Sequence, residues 1–80
     1  MRIDKFLKNS RLIKRRTVAK EACDQERVLV NDKPAKPGTE VKPGDVIVIR
    51  FGNGEVKAKV LAIPEHAPKD VAATMYELLQ

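Results

Sequence analysis

The chain reads as one small α+β domain: two N-terminal helices, a group of short antiparallel strands, and a closing helix. Three observations predict this. Apolar residues recur at helical spacing up to Gln25 and alternate with period two from there to Ile63. Turn dipeptides, Pro37-Gly38 and Pro43-Gly44, punctuate the alternating part. Pro64 and Pro68 then end the last strand ahead of a second helical stripe. No internal repeat, linker or low-complexity segment divides the chain, so residues 1–80 are expected to form a single domain.

Ile3, Phe6 and Leu7 fall at i, i+3 and i+4, which predicts a helix over residues 3–9. Ser10 extends the same face with a small side chain, and Leu12 and Ile13 plug the turn that follows. A second helix fits residues 15–25, with Val18, Ala19, Ala22 and Cys23 as its buried stripe and Arg16, Thr17 and Lys20 outward. Val28 and Val30 read as a strand entering a tight turn at Asn31-Asp32, with Lys33–Lys36 returning. Pro43-Gly44 has the form of a type II turn. Asp45–Phe51 alternates and is rich in β-branched residues, hence a strand. Gly52-Asn53-Gly54 turns the chain, and Glu55–Ile63 returns with Val56, Ala58, Val60 and Ala62 on one face. Asp70 can cap a closing helix through Leu79 whose stripe is Val71, Met75 and Leu78.

Composition restricts what such a domain does. Eighty residues, 42% of them hydrophobic, bury only about 60–65% of their unfolded surface, too thin a core for a large substrate cavity. One cysteine excludes an internal disulfide framework and points to a reducing, cytoplasmic compartment. There is no apolar run of membrane-spanning length, and MRIDKFLK lacks the apolar core of a signal peptide. The net charge of +5 is unevenly spread. Residues 2–20 hold eight basic groups against Asp4 alone, a local +7, while the other sixty residues carry −2. A one-sided field of this kind attracts polyanions.

The cations are not placed for helix stability. Lys14, Arg15 and Arg16 crowd the positive end of the second helix, and Glu21, Asp24 and Glu26 its negative end. Each misplaced charge costs about 0.3–1 kcal/mol at low salt. An anion at that N-terminus reverses the cost, because free N–H groups and arginine forks hold phosphate oxygens. A lipid surface would need a free bulky apolar face, whereas Ile3, Phe6 and Leu7 are required by the core. A DNA-reading helix-turn-helix would need polar base-reading residues along the exposed face, and three aromatics make a poor stacking platform. Backbone gripping of structured RNA fits better. Nothing points to an enzyme, a metal or a cofactor. His66 lies between prolines in a loop as surface filler, Cys23 sits in an apolar stripe, and the Gly52–Gly54 turn lacks the strand-to-helix context of a phosphate loop.

The blocks R-I-D-K-F-L, R-R-T-V-A-K, R-V-L-V-N and V-K-P-G-D occur in order over residues 2–49. Together they resemble the S-four RNA-binding domain, an αα-β module also called the alpha-L motif. The opening M-R-I-D-K-F-L-K with S-R-L-I-K-R-R-T is similar to the small stand-alone factors of bacterial ribosome-associated quality control, the RqcP type, relatives of a ribosome-binding fifteen-kilodalton heat-shock protein. The resemblance implies a core motif over about 2–49, followed by a hairpin and helix over 50–80. It implies a monomeric, non-enzymatic factor on large ribosomal subunits obstructed by peptidyl-tRNA. Such a factor contacts large-subunit rRNA and tRNA beside a tRNA-recruiting partner protein that tails the stalled chain.

Carried over by position, the RNA-facing residues are Arg2, Lys5, Lys8, Arg11, Lys14, Arg15, Arg16, Thr17 and Lys20, with Arg2 and Arg16 foremost. Asp4 is expected to orient a neighbouring arginine, or to lie near Lys8 at i+4, without touching RNA. The chain departs from the family pattern at Glu26, usually Gly, and at Asn31-Asp32, usually Asn-Gly. Other readings are a heat-shock-type recycling factor, a general structured-RNA binder, a DNA-binding dimer, and an adaptor docking through Met75, Tyr76 and Leu79.

Overall fold

Helix α1 (Ile3–Asn9) forms where Ile3, Phe6 and Leu7 share a stripe, and all three are fully buried. The computed structural model describes residues 1–79 of the chain. No side chain caps α1 at its start. Instead the N–H groups of Ile3 and Asp4 donate to the carbonyls of Thr39 and Pro37, at 2.7 and 3.3 Å, so a distant loop satisfies donors the helix cannot. At the other end Ser10 is buried, its Oγ donating to the Leu7 carbonyl at 3.2 Å. Arg11 follows in the left-handed region with φ 63°.

Helix α2 (Arg16–Asp24) packs on α1 through Ala19 and Cys23, both fully buried, with Ala22 half-buried. Val18, expected in that stripe, is 46% exposed. A helix of nine residues resting on two small side chains makes a narrow contact, and Val18, one position round from Ala19, lies beyond its edge. The helix closes in a Schellman motif. Glu26 N–H donates to the Cys23 carbonyl at 3.0 Å and Arg27 N–H to the Ala22 carbonyl at 2.9 Å, with Glu26 left-handed at φ 59°.

The strands are β1 (Val28–Val30), β2 (Lys33–Pro34), β3 (Val46–Phe51), β4 (Gly54–Val60) and β5 (Tyr76–Leu79), in the sheet order β2-β1-β3-β4-β5, antiparallel throughout. Asn31 and Asp32 both have positive φ, 51° and 68°, the demand of a two-residue type I′ turn between β1 and β2. Gly44, at φ 99°, supplies the left-handed position of the type II turn whose Asp45 N–H donates to the Lys42 carbonyl at 3.1 Å. Val28, Val30, Ile47, Ile49, Ala58 and Val60 line the sheet face that meets the helices.

The closing helix is the main correction. Only one turn, α3 (Lys69–Ala72), is helical, and Tyr76–Leu79 forms β5 against β4 in the register Val60↔Tyr76 to Lys57↔Leu79. Leu78, expected in the buried stripe, is 62% exposed, while Met75 is fully buried. An isolated helix of ten residues is marginal in water, whereas pairing along β4 satisfies backbone groups on both strands at once.

Candidate nucleic-acid interface

Asp4 is the centre of the basic face. It has no exposed surface, yet its carboxylate is fully engaged. Oδ1 accepts from the Lys5 N–H at 2.8 Å, and Oδ2 accepts from Arg2 Nη2 at 3.2 Å and from Arg16 Nε at 3.3 Å. One buried anion therefore holds two guanidinium groups, one from the N-terminal end of each helix. The arginines remain 48% and 43% exposed, so each keeps terminal N–H donors directed to solvent. Lys8 is not the partner of Asp4. The first turn of α2 contains no acidic residue and no capping side chain, which leaves it open to an anion beside Arg15 and Arg16.

Lys5 turns to Glu65, which comes from the segment after β4. The hydrogen bond from Lys5, and then its charge, hold the Glu65 carboxyl below the usual carboxylate range. Asn9 Nδ2 donates to the Glu65 carbonyl at 3.3 Å, so two contacts lay this segment beside α1. A groove of about 660 Å³ opens between them, lined by Lys8, Arg11 and Lys14 on one side and by His66 and Lys69 on the other. A smaller groove lined by Lys5, Lys8, Arg16 and His66 adjoins it.

Five of the nine expected RNA-facing residues fall into two groups, and Lys5 is paired with Glu65. Arg2 and Arg16 meet at Asp4, while Lys8, Arg11 and Lys14 share a groove with residues from the far end of the chain. Arg15, Thr17 and Lys20 are exposed along α2 and line neither groove. Among the described residues Lys8, Arg11, Lys14, Arg15 and Lys20 make no ion pair. Sequence reasoning missed Glu65 and Lys69 and set His66 aside. The only signal was Lys69 itself, hidden in a region of net negative charge.

Burial pushes the Cys23 thiol up to about 11, which leaves it protonated and inert at neutral pH. Among the described residues no cluster of His, Cys, Asp and Glu could hold a metal ion, and no helix is long and apolar enough to cross a membrane. Of the expected adaptor surface, Met75 lies in the core and Tyr76 is half-buried.

The family model described as the S4 domain matches residues 1–47. The chain belongs to the S4 domain family. Among S4 relatives, the RQC P-site tRNA stabilizing factor of Listeria innocua serovar 6a is 56% identical over 80 residues, which is 100% of this chain and 87% of that protein. The solution structure of the hypothetical protein HP1423 superposes with a TM-score of 0.85 at 34% identity, covering 100% of this chain and 98% of that one. The trimeric structure of Vibrio cholerae Heat Shock Protein 15 gives a TM-score of 0.89 at 28% identity, covering 99% of this chain and 81% of that one. The S4 match ends within β3, so β4, α3, β5 and the Glu65–Lys69 wall of the groove lie beyond it.

Proposed function

We propose that this chain is a non-enzymatic RNA-binding factor of ribosome-associated quality control, acting in the cytoplasm. It binds rRNA and tRNA on large subunits obstructed by peptidyl-tRNA, and it supports a tRNA-recruiting partner protein that extends the stalled chain with a C-terminal tail. The observation that carries this reading is the pair of arginines held by buried Asp4 at the open end of α2. A guanidinium fixed through one edge has lost much of its rotamer freedom before RNA arrives, so less entropy is lost on binding. The remaining donors suit phosphate oxygens, which carry shape and charge but no base identity. The name of the Listeria innocua relative supports the tRNA and quality-control setting.

The test is RNA affinity as a function of salt, with bulk tRNA as probe. Arg16→Ala is expected to weaken binding by about 1–3 kcal/mol and to reduce the slope of log K against log salt by roughly 0.7–0.9, one phosphate contact. An unchanged slope in that variant would remove Arg16 from the interface.

A further inference from the structure

We propose that the segment Glu65–Lys69, outside the S4 match, is the second wall of an RNA-backbone groove, with His66 and Lys69 as phosphate ligands facing Lys8, Arg11 and Lys14. The inference rests on the RNA-binding reading and extends the site beyond the two helices.

Four observations carry it. Seven of the nine residues that line the groove are polar or charged, Ala67 and Pro68 being the exceptions, and four of them are Lys or Arg, a charge balance that suits a polyanion. Its one carboxylate, Glu65, is engaged by Lys5, so the cations of both walls are left without an ion pair among the described residues. It continues into the smaller groove containing Arg16, which places it on the same track as the Asp4-held arginines. Arg11 stands in the left-handed backbone region favoured by glycine, at φ 63°, and the strained position carries one of the groove's cations. His66 can donate an N–H to a phosphate oxygen in either charge state, and Lys69 supplies a full charge. Continuity with the arginine track favours RNA over an acidic protein segment as the occupant.

The experiment measures binding of the full chain to bulk tRNA by fluorescence anisotropy across a salt series. It compares wild type, Lys69→Glu, His66→Ala, Arg16→Ala and, as a control for net charge, Lys33→Glu on the edge strand at the other side of the sheet. Lys69→Glu is expected to weaken binding by about tenfold or more with a shallower salt slope, His66→Ala by a few-fold, and Lys33→Glu by less than about twofold. His66 and Lys69 are both exposed, and circular dichroism checks that each variant keeps its fold. Equal losses in Lys69→Glu and Lys33→Glu, with Arg16→Ala still impaired, would overturn the second wall and leave the RNA-binding reading standing. Arg16→Ala binding like wild type would instead strike at that reading. Binding to poly-glutamate but not to tRNA would overturn both.

Discussion

At the residue scale, the core places a buried thiol near a buried carboxylate. Cys23 and Asp4 both have no exposed surface. Burial first, and then the charges of Asp4 and Asp24, raise the Cys23 thiol from its ordinary 9.0 to about 11. The sign of the linkage follows from which state releases its proton first. Between those two values the unfolded chain ionises Cys23 while the folded chain does not, so stability falls as pH rises through the window. The loss amounts to roughly 2–3 kcal/mol by the top of it. Denaturant titrations of wild type and Cys23→Ala at neutral pH and across the window check this. The wild type is expected to lose stability relative to the variant, and parallel pH profiles would contradict it. Asp4 shows the limit of reading a residue from its neighbours in sequence. The family resemblance suggests that Asp4 orients a neighbouring arginine or lies near Lys8, but the partnership with Arg16, twelve positions away, depends on how α2 docks on α1.

At the scale of elements, two helix ends carry the same backbone strain for different reasons. Arg11 and Glu26 each follow a helix in the left-handed region, where a side chain costs about 1 kcal/mol relative to glycine. Replacing either by glycine is expected to raise stability by roughly 0.5–1 kcal/mol, read from denaturant midpoints. RNA affinity separates them. Arg11→Gly removes a groove cation and is expected to bind tRNA several-fold more weakly, whereas Glu26→Gly keeps or improves affinity. Equal affinity in the two variants would take Arg11 out of the interface. Elements fixed by local pattern were legible: α1 matches the spacing of Ile3, Phe6 and Leu7, and the type II turn follows from Pro43-Gly44. The end of the chain was not, because Val71, Met75 and Leu78 fit a helical stripe while Met75–Leu79 carries no apolar–polar alternation to announce a strand. The free edge of β4 decides between them, and that edge is a tertiary fact.

At the scale of the whole molecule, the uneven charge of the sequence becomes one surface. Arg2 and Arg16 meet at Asp4, Lys8, Arg11 and Lys14 line one wall of the groove, Arg15 and Lys20 stand exposed beside them, and the chain folds back after β4 to supply the other wall. Exposure of these cations could be read from helix periodicity. The second wall could not, since His66 and Lys69 meet Lys8 and Arg11 only after the sheet has reversed the chain's direction. The central claim is that this surface serves the obstructed large ribosomal subunit, and co-sedimentation tests it most directly. A tagged wild-type chain and its Arg16→Ala variant are run from native lysate on a density gradient. Migration with free large subunits carrying peptidyl-tRNA, lost in the variant, is the predicted result; a wild-type chain that stays at the top of the gradient would contradict it.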